Sequence, residues 1–232
     1  MKKAFRFLLI VFCTFATTNP LDAQWVQTNG PYGGIVASFA VSGTNLFAGT
    51  NGGGVFLSTD NGTSWTAVND GLTNTFVFAV AVSGTNLFAG TSGGAFLSTN
   101  NGTNWTAVNG GLTSTFVSAL AVSGPNLFAG TFDGIFLSTN NGTSWTAAKN
   151  GMGNTLVLSL AVSGTNLLAG TFGGGVYLST NNGTSWTAVN DGLTDIDIWS
   201  LAVSGQNLFA GTSGGVFVST DNGTSWTAVN NG

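Results

Sequence analysis

Two carboxylates two residues apart, Asp195 and Asp197, are the pair in this chain best suited to chemistry. On an extended strand, side chains two apart share a face and stand about 7 Å from each other. That separation falls within the roughly 5–10 Å over which two carboxyl groups act on a glycosidic bond. With Asp191 they form an oxygen-rich cluster of the type that holds calcium weakly. The non-catalytic reading of the same residues is a polar loop leading into a strand. Little else in the chain suits turnover. The sequence has no His and no Glu, so no imidazole base is present. A second set of residues is aromatic. Phe132 and Phe172 stand near Asp133 and Lys149, and flat rings beside Asn, Thr and Asp suit carbohydrate or peptide binding. The alternative is drift in loops that tolerate change.

The charge inventory narrows the partners. Lys2, Lys3 and Arg6 precede the apolar run 7–15, and a small-residue site ends at Ala23. Residues 1–23 therefore read as a secretory leader. The apolar run is too short to span a membrane. The only Cys, Cys13, lies inside the leader, which leaves no thiol for disulfides, zinc–thiolate sites or nucleophilic attack. After residue 23 the one cation is Lys149, against Asp60, Asp70, Asp133, Asp191, Asp195, Asp197 and Asp221. Such a surface cannot neutralise a phosphate backbone, so neither nucleic acid nor membrane insertion is expected. No cofactor or metal is expected, and the localisation is extracellular or periplasmic.

The dominant signal is a repeat. Trp65, Trp105, Trp145, Trp186 and Trp226 recur every 40 or 41 residues. Each closes a copy of Ser-Thr-(Asp/Asn)-Asn-Gly-Thr-(Ser/Asn)-Trp. In the second repeat, strand A is read at 76–82, B at 86–90, C at 95–98 and D at 104–108. Gly and Asn fill the intervening turns because hairpins need positive φ there. Four short strands at a 40-residue period predict an all-β fold, a β-propeller of five four-stranded blades. The blades are placed at 35–70, 76–110, 116–150, 156–191 and 196–232. An extra outer strand is placed at 24–30, where Trp25-Val26-Gln27 matches the start of strand D.

Strand A alternates small and large apolar residues. Ala79 and Ala81 oppose Phe78, Val80 and Val82, and the fifth repeat places Trp199, Leu201 and Val203 on the large face. Apolar side chains on both faces predict a strand covered on both sides. The large face of one blade is expected to pack on the small face of its neighbour. Tyr177 stands where other repeats have Phe, so it reads as core.

The Ser-x-Asp-x-Gly-x-x-Trp segments closely resemble the Asp-box, or BNR repeat. Ser58, Asp60, Gly62 and Trp65 match in full, as do Ser219, Asp221, Gly223 and Trp226. The other copies carry Asn100-x-Gly102 before Trp105, Asn140-x-Gly142 before Trp145, and Asn181-x-Gly183 before Trp186. Similar repeats occur in sialidases, sortilin-type receptors, xyloglucanases and a photosystem II assembly factor. The resemblance implies a box on the C–D hairpin of each blade. A carboxylate or amide there accepts from backbone N–H groups and fixes the turn, Gly supplies positive φ, and Trp is buried between hairpins. A sialidase needs an arginine triad and a tyrosine nucleophile, and residues 24–232 contain no Arg.

The repeats differ mainly in the D–A connections (70–74, 149–153, 191–197) and the B–C turns (Phe132-Asp133, Phe172). In a four-stranded blade these loops share one face of the ring, opposite the boxes. The sequence reading is thus a non-enzymatic extracellular binding or scaffold module. Its ligand is a carbohydrate or extracellular protein at Phe132, Asp133, Lys149, Phe172, Asp195 and Asp197. A glycoside hydrolase using Asp195 and Asp197 and an assembly factor are the competing readings. Three closures stay open: a five-blade ring, which is preferred, a portion of a larger ring, or an open array with exposed edges.

Overall fold

The computed structural model describes residues 29–153 and 155–230. The leader and residues 24–28 of the expected extra strand lie outside them. Blade 1 contains β1 (Ile35–Ser42), β2 (Asn45–Asn51), β3 (Gly54–Ser58) and β4 (Thr66–Ala67). Blade 2 contains β5 (Val77–Ser83), β6 (Asn86–Thr91), β7 (Gly94–Ser98) and β8 (Thr106–Ala107). Blade 3 contains β9 (Val117–Ser123), β10 (Asn126–Thr131), β11 (Gly134–Ser138) and β12 (Thr146–Ala147). Blade 4 contains β13 (Val157–Ser163), β14 (Asn166–Thr171), β15 (Gly175–Ser179) and β16 (Thr187–Ala188). Blade 5 contains β17 (Ile198–Ser204), β18 (Asn207–Thr212), β19 (Gly215–Ser219) and β20 (Thr227–Ala228). Every blade is a four-stranded antiparallel meander in chain order. These are the five blades of a β-propeller, and the fourth strand, read at 104–108 in the second repeat, is limited to Thr106–Ala107.

The large faces of β5, β9, β13 and β17 pack on the blade before them, against a Phe or Leu of its second strand as well as against small residues. Val80 and Val82 of blade 2 pack with Ala40, Phe47 and Val55 of blade 1. Leu120 and Val122 meet Phe88 and Ala95 in the same way. Leu160 and Val162 meet Ala121, Phe128 and Ile135, and Leu201 and Val203 meet Ala161, Leu168 and Val176. Tyr177 packs at the edge of one of these clusters. The approach is close enough to require glycine in the second strand: a Cβ on Gly130 would lie 2.6 Å from Cγ1 of Val157.

The Trp-closed hairpins lock the seams. The indole N–H of Trp105 donates to the Val68 carbonyl of the blade before it at 2.7 Å. Trp145, Trp186 and Trp226 do the same to Val108, Ala148 and Val189. Trp65 differs: it is half-buried, and its indole N–H donates to Gly62 of its own hairpin. The backbone of Asn29 pairs in parallel with Ser64.

The inner strands pack in the order β1, β5, β9, β13, β17, and β1 and β17 share no packing comparable to that between the other neighbours, each leaving alternate residues exposed. The preferred closed five-blade ring is therefore corrected to an arc. Each inner strand spends one face on each neighbour, and among the described residues the end blades have one neighbour each, so one face of β1 and one of β17 are exposed. The expectation that every inner strand is covered on both sides fails at β1 and β17 for this reason.

Candidate functional site

Each Trp-closed hairpin begins with a buried Ser. The Ser58 hydroxyl accepts from the Gly62 N–H at 2.8 Å and donates to Oδ1 of Asp60. Asp60 also accepts from the Ser64 N–H and hydroxyl, at 2.9 and 2.6 Å. Where the residue is Asn, its Oδ1 accepts the same backbone bond, as in Asn140 with Ser144. The Asn140 Nδ2 then donates to the Ser144 hydroxyl, reversing the second bond. Both residue types satisfy the loop, which is why they alternate among blades. The residue after them also takes positive φ, 56° at Asn61, besides the Gly that the sequence singled out.

The Ser64 hydroxyl, followed by its N–H and the Ser58 hydroxyl, lowers the Asp60 carboxyl to about 2, and Ser225 and Ser219 do the same to Asp221. A lowered folded value means stability held above the unfolded value near 4 and lost as pH falls towards 2. The melting temperature of the native chain is expected to fall over that window. The Asp60→Asn, Asp221→Asn double variant is expected to flatten this acid limb, because Asn keeps the backbone bond without titrating. An unchanged limb would show that other carboxylates govern it.

On the opposite face, the D–A and B–C loops meet as expected. The Thr113 hydroxyl donates to Asp133 at 2.7 Å, and Ser92 donates to Asn74 at 3.1 Å. In blades 1, 4 and 5 an Asn amide from the fourth strand's end donates to the B–C turn, as Asn190 does to Gly174. Lys149 replaces that Asn in blade 3, and its Nζ donates to the Asp133 carbonyl at 2.8 Å. Asp133 and Lys149 thus both brace the turn that carries Phe132.

A β-bulge sits at the same place in every inner strand, between Val77 and Ala79 in blade 2 and between Ile198 and Ser200 in blade 5. One extra residue re-aims the side chain it carries. Phe78 therefore packs, tilted by 36°, against Phe116 of the next blade, with centroids 4.7 Å apart. Phe116 in turn lies parallel to Phe132 at 4.1 Å. Trp199 is placed outside the buried face expected for it. It is 52% exposed, touches Phe172 at 6.1 Å edge to face, and donates to the Ser213 hydroxyl at 2.9 Å. Phe132 and Phe172 are half exposed. Phe78, Phe116 and Trp199 are the members of this set that period-two reading could not assign to the loop face.

Asp195 and Asp197 do come together, but as hydrogen-bond acceptors for backbone. Asp195 accepts from the N–H groups of Asp197 at 3.0 Å and Gly214 at 2.8 Å. These bonds, that from Asp197 foremost, hold its carboxyl below the usual range. Asp197 accepts from the Gly173 N–H at 2.7 Å and so bridges blade 5 to blade 4. A glycosidase acid needs a raised pKa, which is the reverse of what Asp195 has. The calcium alternative with Asp191 is also corrected: among the described residues no three carboxylates converge on a metal position. On the hairpin face, a concavity of about 570 Å³ is lined by Ser123, Pro125, Gly164, Thr165 and Asn181, without an aromatic ring.

No protein-family model matches this chain. No curated protein matches it either. Among solved structures, it is 24% identical to an ancestral GH74 enzyme over 86% of this chain and 32% of the other, with a TM-score of 0.72. It is 21% identical to the extracellular domain of a one-component system from B. thetaiotaomicron, over 84% of this chain and 28% of the other, with a TM-score of 0.71. It is 16% identical to YCF48 bound to D1 peptide, over 83% of this chain and 65% of the other, with a TM-score of 0.59. The likeness is one of fold, β-propeller on β-propeller. The chain spans about a third of the length of the first two. A GH74 enzyme, an extracellular domain and a peptide-bound protein thus share this fold, and no helix among the described residues is long and apolar enough to cross a membrane.

Proposed function

We propose that this chain is an exported, non-enzymatic Asp-box propeller that binds a carbohydrate or an extracellular protein on its D–A and B–C loop face. The observation that carries this reading is the pair of exposed aromatic clusters, Phe116–Phe132 and Phe172–Trp199, with polar side chains around them. Rings of this kind offer apolar area at low entropic cost, and Asp133 and Thr113 offer hydrogen bonds at the rim. The carboxylates that catalysis would need are committed to backbone N–H groups. The neighbours support both ligand classes: one is an extracellular domain, others are GH74 enzymes, and one was solved with a peptide.

A panel of polysaccharides, glycans and peptides, scored for retention and for released sugar, tests the reading. Retention without release is expected. Phe132→Ala and Trp199→Ala, both at exposed positions, are expected to weaken retention by about 1–2 kcal/mol each, on the order of tenfold. Released sugar that disappears in an Asp195→Asn, Asp197→Asn variant would replace this reading with the hydrolase.

A further inference from the structure

We infer that this chain associates head to tail with a second copy of itself, blade 5 of one packing on blade 1 of the next. The argument rests on the seam that repeats four times inside the chain. Val55, Ala95, Ile135 and Val176, at one position of the third strand in blades 1–4, are fully buried by the following blade. Val216 holds that position in blade 5 and is 41% exposed. Val229, the counterpart of Val68, Val108, Ala148 and Val189, is also exposed, and so is the small-face residue Ala202.

Blade 1 shows the other half of the seam. Phe39 and Val41 occupy the places of Val80 and Val82, which pack on the blade before them. Phe39 is 63% exposed and Val41 is nearly the same. The Trp65 indole N–H donates to Gly62 of its own hairpin, and its ring lies 6.1 Å from Phe39. The two open faces are therefore knob and socket of one interface. A copy's Val216 and Ala202 offer Phe39 and Val41 what blades 1–4 already offer their successors. Asn29 bridges to Ser64 at the outer rim of blade 1, so the contact is placed on the inner strands.

Few charges oppose the contact: the chain has 5% charged residues, and neither face includes one among the residues named. Exposed apolar faces of this kind mark interaction surfaces, and a contact between two unlike patches is heterologous. Each dimer keeps one free face of each type, so growth beyond two copies is expected.

The test expresses residues 1–232 for export and follows mass by sedimentation velocity across concentration. Wild type is expected to rise from one chain to two or more. Phe39→Asp and Val216→Asp are each expected to stay monomeric alone, because each has lost one half of the seam. Mixed in equal amounts they are expected to form a dimer and nothing larger, through the intact face of each. Circular dichroism checks that both fold, and Val41→Asp with Ala202→Asp provides a second pair. A wild type that stays monomeric overturns the inference. So does a self-associating wild type whose single variants still associate alone, since the contact would then lie elsewhere.

Discussion

Trp145→Ala is expected to destabilise the protein by about 3–5 kcal/mol, the range for emptying a buried large aromatic site. Trp145 is 3% exposed, its indole N–H donates to the Val108 carbonyl at 2.8 Å, and its backbone N–H donates to Gly110 at 2.7 Å. Removing the ring opens a void between blades 2 and 3 and leaves the Val108 carbonyl without that donor. Trp65→Ala is the matched control. Its ring is half-buried and its indole bond stays within its own hairpin, so a loss well below that of Trp145→Ala is expected. Urea unfolding checks both, with the transition midpoint as the readout. Equal losses would mean that the ring acts within its hairpin and that cross-blade stapling is not its role. Because blades touch only their neighbours, Trp145→Ala is also expected to broaden the transition, as opening one seam uncouples the two halves.

A glycine next to that seam gives the second large effect. Gly111 has φ of 93°, and a Cβ on it would lie 2.2 Å from the Trp145 carbonyl oxygen. Gly71, Gly151 and Gly192 stand in the same relation to Trp105, Trp186 and Trp226. An alanine there pays the left-handed cost of about 1–2 kcal/mol and must also push backbone away from backbone, for a total of about 2–5 kcal/mol. Gly124 separates the two contributions. Its φ is 57°, and nothing lies within 4 Å of its Cβ position. Gly124→Ala is expected to show the conformational cost alone. If Gly111→Ala and Gly124→Ala lose the same stability, the blade approach is softer than the geometry implies.

Much of the molecule is legible in the chain because its information is local. Trp65, Trp105, Trp145, Trp186 and Trp226 set the period, and Asn-Gly pairs set the hairpins, since positive φ is a property of single residues. Four strands per period then oblige the D–A and B–C loops to share a face, which placed Asp133 and Lys149 together at the turn that carries Phe132, while Phe172 meets Trp199 instead. The alternation of Val80 and Val82 against Ala79 and Ala81 pointed to the face that packs on the neighbouring blade, but not to Phe47 as a partner there.

Tertiary structure decided what depends on register and on neighbours. Period-two reading assumes an unbroken pleat, and one inserted residue at the bulge turns Phe78 and Trp199 out of the face that alternation assigns them. Asp195 and Asp197 share a strand entrance in either view, but only the folded loops show Gly214 and Gly173 aimed at their carboxylates. Residue type fixes which groups can titrate, while the donors around them fix what they do. The end faces carry the same lesson. Val176 and Val216 are the same residue in the same repeat position, one fully buried and the other exposed, and nothing but the presence of a following blade separates them.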